Sequence, residues 1–298
     1  MVFKAAFKHE MRSSLRSKSP QLVVAVFLIL TSISSIIGWL TVRNVTKIYN
    51  DIVSQNLTTA PNPFANVPPL YYMRDSVIYV VLIGSLMAII LGAQASLRDR
   101  KSNVDVLIQT RNVNLVHRIL GQLSAISLII TILETVALLT SYISIWVIQG
   151  VPLNISAMLL LLGYGTISVL LMVAVAVMGF AFGTFSKSEE SSLLYPIVAW
   201  AVVTFTIPQI ITSTHPVALL NPTPAVSTGM GLAQNVINVI SPLALMENFK
   251  AIANALLGID NSIQLTAMDV FSFSIFVIGA IVASVAISSK TFGRKLHA

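Results

Sequence analysis

Between Ile119 and Ser186 the chain reads ILGQLSAISLIITILETVALLTSYISIWVIQGVPLNISAMLLLLGYGTISVLLMVAVAVMGFAFGTFS, and its only charged residue is Glu134. Apolar residues run continuously here instead of alternating with period two, which indicates helices. A membrane-spanning helix needs about 20 apolar residues, so this run is long enough for two. The turn sequence Gln149-Gly-Val-Pro-Leu-Asn154 is where we expect the first helix to end and the second to begin.

The composition of the whole chain also indicates a membrane protein. Of its 298 residues, 55% are hydrophobic and 10% are charged, and the mean hydropathy is +0.85. A soluble domain typically has about 25% charged residues, so the composition excludes an ordinary soluble enzyme, a disordered chain and a nucleic-acid-binding domain. The chain has no cysteine, which excludes disulfides, thiolate catalysis and cysteine metal sites.

The apolar runs predict an all-α membrane protein, a single domain over residues 1–298, with six transmembrane helices. The spans are Ser19–Val42, Ser76–Leu97, two within Ile119–Ser186, Ser192–Thr212 and Val270–Ser289. Residues 213–268 are also apolar, but prolines interrupt them at Pro216, Pro222, Pro224 and Pro242. Between spans five and six we therefore expect short re-entrant helices on the outer side, partly inserted and buried against protein.

The distribution of basic residues predicts the orientation. Fourteen of the 18 basic residues fall on the side that holds both termini, and the exceptions are Arg43, Lys47, Arg74 and Lys250. Because Lys and Arg accumulate in cytoplasmic loops, we expect a multi-pass protein of the cell membrane with both termini in the cytoplasm. A seventh span around residues 230–245 would move the basic C-terminus outside, and we expect none.

Residues 1–18 carry two stripes at helical spacing. An apolar and a basic series each recur every four residues: Phe3, Phe7, Met11 and Leu15, and Lys4, Lys8, Arg12 and Arg16. Such a helix lies in the lipid headgroup layer, with its apolar stripe dipping into the bilayer. A generic basic anchor is the alternative, and the regular pairing of the stripes favours a structured interfacial helix.

Residues 98–118 form the most informative of the predicted cytoplasmic segments. Apolar Val104, Leu107, Ile108 and Leu115 are interleaved with charged residues. The segment is too polar for a span and too structured for a flexible linker. The pattern predicts a short amphipathic helix presented to a cytoplasmic partner, and a solvated connector is the alternative.

Several segments together resemble the type-2 ATP-binding-cassette (ABC) export permeases. Phe7–Lys18 is similar to the family's elbow helix, and Arg98–Gly121 is similar to its coupling segment. Gly183–Tyr195 with Trp200 is similar to its turn between spans four and five. Leu220-Asn-Pro222 with Ile240-Ser-Pro242 is similar to its outer segment. The resemblance covers nearly the whole chain and rests on the order and spacing of these segments.

The resemblance implies a function and partners. In this family two permease subunits, identical or different, pair with two ATPase subunits, and the ATPase cleft holds the coupling segment. The residues it implies for the ATPase contact are Asp99, Val104, Asp105, Leu107, Ile108, Arg111 and Leu115. The chain lacks a Gly-x-x-x-x-Gly-Lys-Ser/Thr phosphate loop, so we expect ATP on a separate subunit and no cofactor on this one.

Two other classes of function are considered. An intramembrane enzyme is disfavoured, because Glu189-Glu190 lacks the nearby arginine of prenyl-protein proteases, no Gly-x-Ser-x-Gly elbow occurs, and the four histidines form no metal-ligand cluster. A non-transporting membrane scaffold or assembly factor stays open, since composition does not distinguish it from a permease. We expect neither nucleic acid nor a metal as ligand.

Inside the predicted spans, one carboxylate and two sets of small residues are distinctive. Glu134 falls about midway along span three, where a carboxylate is costly and usually faces a cavity or a partner. It either lies in the substrate pathway or braces the bundle as a neutral or hydrogen-bonded group. Small residues at helical spacing, which favour close packing within or between subunits, are Gly84, Ala88, Gly92 and Ser96 in span two and Gly179 and Gly183 in span four.

Overall fold

The computed structural model describes residues 2–16, 18–62, 67–101, 114–186, 188–212, 220–224 and 244–294. These residues form helices and no strands, as predicted. The helices are α1 (Val2–Arg16), α2 (Lys18–Ser54), α3 (Arg74–Tyr79), α4 (Ser85–Lys101), α5 (Leu115–Gln149), α6 (Ile155–Phe185), α7 (Glu189–Ala201), α8 (Ile207–Thr212), α9 (Leu245–Leu257) and α10 (Ala267–Arg294).

Among the described residues, six segments are long and apolar enough to span a membrane, as the six predicted spans require. They are Gln21–Ser54, Pro69–Arg98, Leu115–Gln149, Ile155–Phe185, Glu190–Ile210 and Ala267–Lys290. The second combines a 3-10 turn at Pro69–Met73, α3, a π-helical turn at Val80–Gly84, and α4. The fifth combines α7, a π-helical turn at Val202–Thr206, and α8. Residues 225–243, which include most of the seventh span that we do not expect, lie outside the described residues.

The long apolar run divides where its turn sequence predicts. Gly150 ends α5 in the left-handed region, with a φ of 71°, which glycine adopts without a steric penalty. Asn154 then caps α6, because its side-chain oxygen accepts a hydrogen bond from the backbone N–H of Ala157 at 2.8 Å. The boundary between the two spans is therefore set locally, by the conformation of Gly150 and the capping side chain of Asn154.

Glycines bring α4 and α6 into backbone contact at the centre of the bundle. A Cβ atom on Gly92 would lie 1.8 Å from the carbonyl oxygen of Ala176, and one on Gly179 would lie 2.4 Å from that of Ile89. A Cβ on Gly183 would lie 2.1 Å from the hydroxyl of Ser96. The small residues of spans two and four thus pack against each other within one chain.

The fifth span contains a π-helical turn directly before Pro208. A proline inside a helix has no N–H to donate, and its ring clashes with the carbonyl four residues earlier, here that of Thr204. The wider π turn at Val202–Thr206 includes that carbonyl and relieves the clash. The span stays continuous although it carries this proline.

The first span extends further than its apolar run predicts. Helix α2 does not end near Val42 but continues to Ser54, past the charged Arg43, Lys47 and Asp51. No glycine or proline interrupts these residues, so the backbone hydrogen bonds continue beyond the apolar stretch. Asn56, with a φ of 56°, then turns the chain.

The predicted outer segment, residues 213–268, is described in part, since residues 213–219 and 225–243 lie outside the described residues. Its helix α9 is buried on nearly every side, although it includes Glu247 and Lys250. The two charged side chains form an ion pair, with Lys250 Nζ 2.7 Å from Glu247 Oε1. Insertion of this segment into the bilayer stays a prediction.

Candidate functional site

Helix α1 packs along the first turns of α5. A Cβ atom on Gly121 of α5 would lie 2.7 Å from the backbone carbonyl oxygen of Phe3 and 3.1 Å from the Cβ of Ala6. Only glycine fits at this distance, so the two helices meet backbone to backbone. The contact fixes α1 beside the start of the third span.

A buried ion pair fastens α1 to a second helix, α4. The Arg98 guanidinium donates a hydrogen bond to Glu10 Oε1 and another, at 2.8 Å, to the Ser14 hydroxyl. Ser14 in turn donates to Glu10 Oε1 at 2.8 Å, one helical turn along α1. Glu10 is fully buried, and only a fifth of the Arg98 side chain is exposed. A buried carboxylate needs such partners, since it is otherwise strongly destabilising.

The two contacts give α1 a defined position relative to residues 102–113. Arg98 lies near the end of α4, and Gly121 lies near the start of α5, so α1 touches both helices that flank this segment. We call the end of α4 and the start of α5 the two stems.

The predicted ATPase contacts are only partly within the described residues. Leu115 is the first residue of α5, half-buried and packed against the hydrophobic core. Asp99 belongs to α4, but its side chain is outside the described part. The contacts that lie wholly outside it are Val104, Asp105, Leu107, Ile108 and Arg111. Asn114 caps α5 by accepting a hydrogen bond from the His117 N–H at 3.3 Å.

Glu134 lies inside the helical bundle, among polar groups from two neighbouring helices. Its side chain is 2% exposed and lies beside the Ser168 hydroxyl of α6. Ser168 also contacts Tyr164, whose hydroxyl lies 2.9 Å from the Ser76 hydroxyl of α3. We call Glu134, Ser168, Tyr164 and Ser76 the Glu134 cluster. All four residues are buried.

The Glu134 carboxyl group has fewer hydrogen-bond donors around it than its two oxygens can accept from. The single proton of Ser168 is directed at the backbone carbonyl of Tyr164, at 2.9 Å. Glu134 Oε2 has no hydrogen-bond partner among the residues that the structure describes. A carboxylate can only accept, whereas a protonated carboxyl group can donate to Ser168. The cluster can therefore bind a proton, a water molecule or a polar group of a ligand.

No ion pair involving Glu134 occurs in the described part of the chain. The buried cation of α9, Lys250, pairs with Glu247 of its own helix. Phe249, between them in sequence, packs its ring against Tyr164 at a centroid distance of 6.4 Å. Helix α9 thus contacts the Glu134 cluster through the apolar ring of Phe249.

Sequence reasoning found Glu134 but missed its partners and the partner of Glu10. Tyr164 and Ser168 are four residues apart on α6, as Glu10 and Ser14 are on α1, so each pair shares a helix face. That spacing is a detectable signal for two polar residues on one face. Nothing in the sequence indicates which distant residue the face contacts, and Glu10 and Arg98 are 88 residues apart.

Comparisons with known proteins add no relatives, since no protein-family model matches the chain and no curated protein matches it. Among the described residues, no group of three or more His, Cys, Asp or Glu side chains is placed to hold a metal ion. Any assignment of function therefore rests on the helix packing and on the buried carboxyl groups of Glu10 and Glu134.

Proposed function

We propose that this chain is the transmembrane permease subunit of an ABC transporter, which exports its substrate with ATP hydrolysed by a separate subunit. One observation carries the proposal: α1 is fastened to both stems of residues 102–113, by the Glu10–Arg98 pair and by the Gly121 contact. A segment with its stems held this way suits the transmission of force from a cytoplasmic partner to the spans.

The route of such a force is continuous through packed helices. Arg98 belongs to α4, and α4 meets α6 in backbone contact at Gly92 and Gly179. Helix α6 carries Tyr164 and Ser168, two members of the Glu134 cluster. Closely packed helices move as units rather than deform, so a push on the segment reaches the centre of the bundle.

The remaining parts of the proposal follow from the same assignment. The protein lies in the cell membrane with both termini in the cytoplasm, and a second permease subunit, identical or different, completes the transport pathway. Two ATPase subunits bind residues 98–118. Glu134 contributes to the pathway, and α9 forms part of an outer segment that enters the membrane.

Contact with the ATPase can be tested by photo-crosslinking in the membranes of the native host. A photoreactive amino acid at Leu107 should crosslink to a protein that carries a phosphate loop, with a yield that differs between ATP and ADP. The control position is Leu57, an exposed residue beyond the far end of α2. Crosslinks from Leu107 only to proteins without a phosphate loop would overturn the proposal and favour the scaffold alternative.

Sidedness can be tested with single cysteines, because the chain has none of its own. Exposed positions are Ser54 at the end of α2, Asn114 at the start of α5, and Ser262 in the turn between α9 and α10. We expect a membrane-impermeant thiol reagent applied from outside to label Ser54→Cys and Ser262→Cys, but not Asn114→Cys. Labelling of Asn114→Cys from outside would contradict the proposed topology.

A further inference from the structure

The surface of α1 is divided into faces of different chemistry. Glu10 and Ser14 are buried against Arg98, and they form the face that holds α1 to the bundle. Next to it runs an apolar stripe that contains the exposed Phe3 and Leu15. Beyond that stripe lies a basic one, whose members are all exposed: Lys4, Lys8, Arg12 and Arg16.

The basic stripe borders a shallow depression with hydrogen-bond donors. It is lined by Lys8, Arg12, Arg16, His9, Ser13 and the small side chain of Ala5. Glu10, the only acidic residue in α1, points away from it into the ion pair with Arg98. The exposed surface of α1 therefore carries basic charge without an acidic partner on the same helix. Lysine, arginine and serine donors in this arrangement suit a phosphate group.

We propose that this depression binds the phosphate headgroup of anionic phospholipids. The apolar stripe beside it distinguishes a lipid from a free anion, since Phe3 is 42% exposed and Leu15 is 63% exposed. A ligand that contacts both stripes has an anionic head and an apolar tail. Inorganic phosphate would use only the basic stripe and would leave the apolar one in water.

The position of α1 in the chain supports the same ligand. Helix α1 ends at Arg16, and the apolar first span starts at Gln21, only a few residues later. The depression is thereby held at the level where headgroups lie, whichever side of the membrane that is. Anionic headgroups attract basic residues placed this close to the membrane surface.

A bound headgroup acts on the same helix that joins the two stems. It occupies the exposed side of α1 while Glu10 and Gly121 hold the opposite side to α4 and α5. Anionic lipid therefore restrains the stems of residues 102–113. This regulatory consequence rests on the proposed function, but the binding of lipid does not.

Binding is tested with the full-length chain in lipid nanodiscs, without any partner subunit. A fluorophore is attached to Ala5→Cys, which is exposed at the depression and is the only cysteine in the chain. The probe is phosphatidylglycerol with a quencher on its headgroup, compared with phosphatidylcholine carrying the same quencher. We expect stronger quenching by phosphatidylglycerol, and a weaker preference at high salt.

Charge removal gives the decisive comparison. Lys8→Gln with Arg12→Gln should reduce the preference for phosphatidylglycerol roughly fivefold per charge removed, since each basic residue near an anionic surface contributes about that factor. Lys8→Arg with Arg12→Lys keeps the charges and should keep the preference. The matched control is Arg43→Gln with Lys47→Gln, an exposed basic pair at the same spacing on α2, which should leave the quenching at Ala5→Cys unchanged.

Three outcomes would overturn the proposal. The first is equal quenching by the two lipids in the unaltered chain. The second is an undiminished preference in Lys8→Gln with Arg12→Gln, with the fold verified by an unchanged melting temperature. The third is abolition of the preference by inorganic phosphate at physiological concentration, which would identify the depression as a free-phosphate site.

Discussion

Glu10 and Glu134 are both buried, but their surroundings differ. Glu10 accepts hydrogen bonds from Arg98 and Ser14 and so forms part of an ion pair at the end of the bundle. Glu134 has no ion-pair partner among the described residues, and its neighbour there is the uncharged Ser168. The first carboxylate is neutralised by a partner in the protein, whereas the second is not.

The difference separates a structural role from a functional one. A buried carboxylate with a matched cation holds two helices in one arrangement, because separating them would expose an unpaired charge to a poorly solvating interior. A buried carboxyl group without an ion-pair partner can change its hydrogen-bond partner without separating two helices. We expect mutations at Glu10 or Arg98 to affect stability, and conservative mutations at Glu134 to affect activity.

The largest expected effect comes from removing the cation of the first pair. Arg98→Ala leaves Glu10 buried without its charged partner, which should lower the free energy of unfolding by about 3 kcal/mol. Unfolding of the detergent-solubilised protein, followed by circular dichroism, measures the loss. The matched control is Arg12→Ala, an exposed arginine of α1, for which we expect a change within about 0.5 kcal/mol. Equal losses in the two variants would contradict the role given to the ion pair.

A smaller loss of stability should follow from Glu134→Leu. The substitution places a branched side chain of different shape in the buried Glu134 cluster, at a cost of about 2 kcal/mol. Glu134→Gln retains size and hydrogen bonding, so we expect almost no change in its unfolding. A larger loss in Glu134→Gln than in Glu134→Leu would contradict the description of the cluster.

The same two variants test whether Glu134 belongs to the pathway. If it does, Glu134→Gln should reduce transport, or substrate-stimulated ATP hydrolysis, while the protein stays folded. The measurement is ATP turnover by the assembled transporter with and without substrate. Unaltered activity in Glu134→Gln, together with lost stability in Glu134→Leu, would assign Glu134 to bracing the bundle.

The smallest effect is expected at a partly exposed carboxylate, Asp260, which serves as the reference for Glu10 and Glu134. Hydrogen bonds from the Ser262 hydroxyl and backbone N–H lower the pKa of Asp260. Because the folded-state pKa lies below the unfolded one, the stabilisation is present at neutral pH and is lost as the pH falls through the folded pKa. The melting temperatures of the unaltered chain and Asp260→Asn should therefore converge in acid, and a pH-independent difference would be inconsistent with this account.

The sequence predicts most of the fold because the relevant signals are local. Hydropathy identifies all six spans, and Gly150 with Asn154 marks the boundary between α5 and α6. The extent of α2 is predicted less well, since charged residues end an apolar run but do not end a helix. The small residues of span two predict close packing, but their partner is chosen by the three-dimensional arrangement of α4 and α6.

The candidate sites are less predictable because they join distant parts of the chain. Glu134 stands out as a lone charge in an apolar run, whereas Ser168, Tyr164 and Ser76 are ordinary residues of a membrane helix. Glu10 could pair with any of several nearby basic residues, and only the packing of α1 on α4 and α5 selects Arg98. Contacts of this kind depend on helix register, which periodicity within one helix does not reveal.

The central claim is that residues 98–118 couple this chain to an ATPase. Its most direct test is ATP hydrolysis by the ATPase subunit reconstituted with this chain in nanodiscs. We expect the unaltered chain to stimulate hydrolysis. The double substitution Leu107→Asp with Ile108→Asp should abolish the stimulation, because it places charge at the contact. The control Val53→Asp with Leu57→Asp, at exposed positions at the far end of α2, should preserve it. Full stimulation by Leu107→Asp with Ile108→Asp would contradict the account.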